Sequence, residues 1–131
     1  MSYEYNWPRY FPPNCPCKDS IEANGSFYRL VVHDPPIMDD FLPQIIIDNK
    51  LDHDSSPKCK ECGISVLSDM NAASDLRKIF KTFKDRKVAL CKLTPNLGKI
   101  KNTPSNNSKY HVTWWLPDSV DPSSSSIVLD E

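Results

Sequence analysis

Residues 59–93, CKECGISVLSDMNAASDLRKIFKTFKDRKVALCKL, place strand, cap, helix and strand signals one after another without a gap. Ile64–Leu67 (ISVL) has strand character, and Ser68 or Asp69 can cap a following helix by accepting from backbone amides two or three residues on. Ala73, Leu76, Phe80 and Phe83 then recur at helical spacing and form a buried stripe, widened by Ile79. Arg77, Lys78, Lys81 and Lys84 fall on the open face towards the C-terminal end, where cations complement the helix dipole. Asp85-Arg86-Lys87 ends the helix, and Val88–Leu93 (VALCKL) returns as a strand. Short loops between these pieces predict a right-handed crossover onto one sheet. The fold class that follows is α+β: a small mixed β-sheet of four to five strands, with one main amphipathic helix packed on it.

Upstream, Ser26–Val32 (SFYRLVV) follows an Asn24-Gly25 turn and predicts a strand. Alternation puts Phe27, Arg29 and Val31 on one face and Tyr28, Leu30 and Val32 on the other. His33-Asp34-Pro35-Pro36 stops it, and Gln44–Asp48 (QIIID) reads as a further short strand from its β-branched bias. Residues 49–58 (NKLDHDSSPK) are a loop by composition, with His53 solvated. Residues 1–25 carry Tyr3, Tyr5, Trp7, Tyr10 and Phe11 among four prolines within the first sixteen positions. Proline fixes φ and removes donors, so an extended arm is expected, its rings filling grooves on the domain. Downstream, Lys99–Asn102 is a weak strand and Tyr110–Leu116 (YHVTWWL) a strong one, with Tyr110, Val112, Trp114 and Leu116 on one face. One Trp of the pair should enter the core and the other lie under the arm. Residues 26–117 therefore make the domain, and the Ser-rich acidic segment 118–131 is expected to be disordered unless Ile127-Val128-Leu129 docks.

The 131 residues suffice for one core. A net charge of −1 gives no global attraction for nucleic acid, and the basic run Arg77–Lys87 is flanked by Asp75 and Asp85, as on a solvated helix face. The first fourteen residues have no apolar core of a signal peptide, and the longest aliphatic run, Ile45–Ile47, is far short of a membrane span. The expectation is a cytoplasmic protein, away from membranes and nucleic acid.

Five cysteines without an export signal point to reduced thiols or metal. Cys15-Pro16-Cys17 and Cys59-x-x-Cys62 offer two ligand pairs, and a CxxC followed by glycine has the shape of a zinc knuckle. A structural zinc held by Cys15, Cys17, Cys59 and Cys62 would staple the arm to the core. Cys91, in mid-strand, reads as a small buried hydrophobe. No phosphate loop, GxSxG or HExxH motif is present.

A polar set remains on the predicted strands: Arg29, Ser65, His111 and Thr113. Arginine on an early strand, serine on a middle one and a polar residue on a late one is a layout that can hold a phosphate-bearing ligand. The order FYRLV (27–31), GISVLSD (63–69) and HVTWW (111–115) resembles compact ADP-ribosyltransferase-like domains, including the RES-type toxins, over about half of the chain. That resemblance implies a small enzyme acting on NAD or a nucleotide, with Arg29 and Ser65 as dinucleotide ligands and His111 beside them. The late glutamate of that class has no counterpart within HVTWWLP, which Asp118 follows directly. The other functional expectation is a small interaction or accessory protein without catalysis of its own, reaching a protein partner through its aromatic arm.

Overall fold

The structure, a computed structural model, describes residues 4–48 and 58–129. Among the described residues, seven strands form one sheet: β1 (Ile21–Glu22), β2 (Gly25–Val31), β3 (Ile64–Leu67), β4 (Lys87–Leu93), β5 (Lys99–Asn102), β6 (His111–Trp115) and β7 (Ser126–Val128). Their order is β1-β5-β6-β3-β2-β4-β7, and every pairing is antiparallel. The expected mixed sheet of four to five strands is thus corrected to an antiparallel sheet of seven. The main helix, α2 (Met70–Ile79), does connect two strands of like direction, but β2 lies between them and pairs antiparallel with each. The two added strands are short edges: β1 pairs with β5, and β7 with β4. Ile127, Val128 and Leu129 do dock: Val128 lies opposite Ala89, and the Leu129 amide donates to the Val88 carbonyl at 2.9 Å.

α2 starts where the cap signal put it, with Asp69 accepting from the Ala72 amide at 3.0 Å. It ends earlier than the apolar stripe implied, because Phe80 adopts extended backbone (φ −104°, ψ 120°) before a 3-10 turn at Lys81–Phe83. Phe80 and Phe83 consequently meet each other edge to face at 5.9 Å, and Ile79 is left 69 % exposed. Gln44–Ile47, expected as a strand, is one helical turn, α1. Pro43 precedes it with no free amide to lose, and burial of Ile45 against Cys62 and Trp115 overrides β-propensity. The loop expected at 49–58, with His53, lies outside the described residues up to position 57.

Both sheet faces are covered, in different ways. On one face, Phe27, Ile64, Val66, Cys91, Ile100, Val112 and Trp114 form the principal core, closed by Phe41 from the turn Met38–Phe41. On the other face, α2 packs Ala73 against Leu67 and Val88. Further along that face, Trp115 sits with Cys15, Ile45 and Cys62 under Trp7, Tyr10 and Phe11 of the arm. The two adjacent tryptophans point to opposite sides, as alternation requires. Each indole N–H finds a carbonyl: Trp114 donates to Leu97 at 2.7 Å and Trp115 to Cys59 at 2.8 Å.

The arm is fixed on the domain, and it is turned rather than continuously extended: the amides of Phe11, Cys15 and Ser20 donate to the carbonyls of Pro8, Pro12 and Cys17, each three residues back. The Tyr5 hydroxyl donates to Pro95 O at 2.8 Å, and the Asp118 amide donates to Asn6 O at 2.7 Å. Tyr5 stacks on Trp7 (4.8 Å), Trp7 on Phe11 (5.8 Å), and Tyr10 meets Phe11 edge to face (5.4 Å). Cys15 and Cys59 are joined by a disulfide that closes a separation of 44 residues. Gly98 is required where the arm joins the sheet: its φ is +118°, and a Cβ there would lie 1.9 Å from Trp115 O.

No helix among the described residues is long and apolar enough to cross a membrane.

Candidate functional site

Arg29 enters the gap between β2 and β3, which are bridged only at Tyr28 and Leu67. Where the two strands separate, carbonyls lose their ladder partners and the guanidinium replaces them. Nε donates to Asp40 O at 2.7 Å, one terminal nitrogen to Ser65 O at 2.7 Å, and the other to Leu42 O at 3.5 Å. The residue keeps some exposed area, but protein surrounds the guanidinium, and burial pushes its pKa down to about 10. It remains charged at neutral pH and acts as a three-way clamp joining β3 to the Met38–Phe41 turn.

Asp40 secures the same turn from its other side. Its buried carboxylate accepts from the Val32 amide (2.9 Å), the Ile37 amide (3.0 Å) and His33 Nδ1 (3.1 Å). Burial works against the charged form, but the two amides and His33 outweigh it and hold the carboxyl below its ordinary value. Nothing in the sequence separates Asp40 from Asp39; only the turn's geometry turns one inward and leaves the other exposed.

Ser65, Thr113 and His111 share the sheet face opposite to Arg29. Ser65 is opposite Thr113 in register and His111 opposite Leu67, so Ser65 and His111 are diagonal neighbours, a Cα spacing of roughly 7–8 Å in such sheets. Arg29, two residues from Phe27 on its strand, faces the principal core. The structure therefore brings the side chains of Ser65, His111 and Thr113 together on one face, while the Arg29 side chain lies on the other and meets only the backbone carbonyl of Ser65.

His111 is organised by Thr103, a residue that sequence reasoning passed over inside a polar loop. The ring Nδ1 lies 3.1 Å from Thr103 O and 2.8 Å from Thr103 Oγ1, which is itself 2.7 Å from Thr113 Oγ1. Thr103 serves either tautomer: a protonated Nδ1 donates to its carbonyl, and an unprotonated Nδ1 accepts from its hydroxyl. Burial lowers the His111 pKa, against the effect of the Thr103 carbonyl, and keeps the ring neutral at pH 7. Gly63 fits closely beside this network, since a Cβ there would approach Thr113 Cγ2 to 2.3 Å.

The four candidate metal ligands lie in one region although 44 residues separate Cys15 from Cys59. Cys15 and Cys62 are buried in the cluster around Trp115, and Cys17 and Cys59 pack against it. Burial, with Glu61 adding to it, raises the Cys62 thiol to about 11. The Cys17 thiol is raised by burial and by its hydrogen bond to Asp19, whose carboxylate also pairs with Lys101 at 3.0 Å. Among the described residues, no three His, Cys, Asp or Glu side chains are grouped so as to hold a metal ion. Cys91, fully buried in the principal core, is far from the exposed setting that a reactive thiol needs.

Compared with known proteins, the chain matches no family model, no curated protein and no solved structure.

Proposed function

We propose that this chain is a small interaction or accessory protein that presents its N-terminal arm to a protein partner and has no catalytic centre of its own. The observation that carries this reading is the ring stack of Tyr5, Trp7, Tyr10 and Phe11. Each ring is only partly buried, so the stack keeps some accessible aromatic surface. Trp and Tyr are the side chains that dominate binding energy at protein interfaces. The Tyr5 hydrogen bond and the Cys15–Cys59 disulfide fix the stack before any partner arrives, which lowers the ordering cost of binding. The inward hydrogen bonding of Arg29, Asp40 and His111 supports the same view, since these side chains hold turns and strands together.

The test is cross-linked affinity capture with the native protein, Trp7→Ala, the exposed arm variant Arg9→Glu, and Ser65→Ala/His111→Ala. A partner recovered with the native protein should be lost with Trp7→Ala, weakened by Arg9→Glu and kept by the double variant. Retention by both arm variants would overturn the reading. So would a rise in melting temperature with NAD or a nucleotide that disappears in the double variant, because a ligand specific for the native state must stabilise it.

A further inference from the structure

We propose that Cys15, Cys17, Cys59 and Cys62 form a tetrathiolate zinc site that assembles when the Cys15–Cys59 disulfide is reduced. The same cluster would then hold the arm in two alternative chemical states. Position is the first support: a CxC pair from the arm and a CxxC pair from the domain meet in one apolar cluster, with Cα atoms of Cys15 and Cys59 5.5 Å apart. Local geometry is the second. Cys59–Cys62 is a 3-10 turn, and residues three apart in such a turn eclipse, so the two side chains project on the same side. The Gly63 amide closes that turn on Lys60 O at 3.2 Å, and the Trp115 indole fixes the Cys59 carbonyl at 2.8 Å. Cys17 is the fourth ligand, partly exposed, packed against the cluster and hydrogen-bonded through its thiol to Asp19.

The disulfide and the metal need the same two sulfurs, so the two states exclude each other, and the oxidised form has no grouped metal-ligand set among the described residues. The conversion balances with a dithiol as reductant. One of its thiolates attacks a disulfide sulfur, and its second thiol closes a ring disulfide, so two electrons pass to Cys15 and Cys59 and leave them as thiols. Zinc then displaces four protons from four thiols. Sulfur-only ligation selects a soft or borderline ion such as zinc over magnesium or calcium. The resulting doubly negative centre would have the exposed Lys58 and Lys60 beside it in the chain.

The experiment titrates zinc into protein reduced with a phosphine and freed of reductant without air, with a chromophoric chelator as competitor. The reduced protein should take up about one equivalent with tetrahedral thiolate absorption on cobalt substitution, and the oxidised protein under about a tenth. Cys17→Ser and Cys62→Ser should weaken binding by at least the ~10–100-fold that even outer-shell changes cost. Cys91→Ser, in the other core, should bind like the native protein. Uptake below a tenth of an equivalent by the reduced protein, equal uptake by the oxidised protein, or native affinity in Cys17→Ser would each overturn the proposal. Because Cys17 is partly exposed, its serine variant retains the fold and keeps the test decisive.

Discussion

Replacing Arg29 with methionine separates a structural clamp from an anion ligand. The methionine chain can follow the same path but donates nothing to the three carbonyls. Two of the lost bonds are short, at 2.7 Å, and the third, at 3.5 Å, is at the limit of a hydrogen bond. A hydrogen bond from a charged donor contributes about 1.5–3 kcal/mol, so the two short ones sum to ~3–6 kcal/mol. The residue is partly exposed, so water can reach some of the orphaned carbonyls and the lower half of that range applies. Methionine also restores about 1 kcal/mol through apolar burial. The expected loss is ~2–4 kcal/mol, read as a shift of the urea midpoint at unchanged slope, or of the order of 10 °C in melting temperature. Arg29→Lys should fall between, because a single ammonium cannot span all three acceptors. A loss below about 1 kcal/mol in Arg29→Met would refute the clamp, and if anion binding vanished at native stability, Arg29 would be a ligand instead.

Three further outcomes follow from the packing. Gly63→Ala should destabilise by ~1–3 kcal/mol through its contact with Thr113 Cγ2; in Thr113→Ser, which lacks that methyl, the same change should cost clearly less in denaturant melts. Asp40 has a folded pKa depressed below its ordinary 3.8, so its stabilising contribution is complete above that pH and is lost as pH falls through the lower folded value. Asp40→Asn should therefore flatten the acid limb of the stability–pH curve, and an unchanged limb would assign that limb to other carboxyls. Ending the chain at Ser125 removes β7, whose Ser126 lies opposite Cys91; the rate of Cys91 alkylation in native buffer should rise at least tenfold, by roughly the opening free energy removed.

The central strands were legible because their signal is local. Ile64–Leu67 and Lys99–Asn102 coincide with the elements expected, β4 differs by one residue at one end, and β2 and β6 differ by one residue at each end. The opposite placement of Trp114 and Trp115 follows from the two-residue period alone. The edges were not legible: Ile21–Glu22 and Ser126–Val128 are too short to show a period, and they exist because β5 and β4 present unpaired edges. Gln44–Ile47 failed for a related reason, since tertiary burial of Ile45 outweighs β-branching in a single turn. In the candidate site, the shared face of Ser65 and His111 could have been drawn from alternation and register together, but the register itself is not local. The clamp role of Arg29 depends on strands that part company after one bridge, and composition does not report such a gap.

The divergence of Trp114 and Trp115 also gives the protein an internal optical reference. Of its three tryptophans, Trp7 and Trp115 belong to the cluster beneath the arm, while Trp114 lies in the principal core. Lifting the arm would wet two indoles and leave the third dry, so emission would move to the red in part, with one blue component resisting aqueous quenchers. Global unfolding would shift all three together. A single cuvette can therefore distinguish a protein that has released its arm from one that has lost its core.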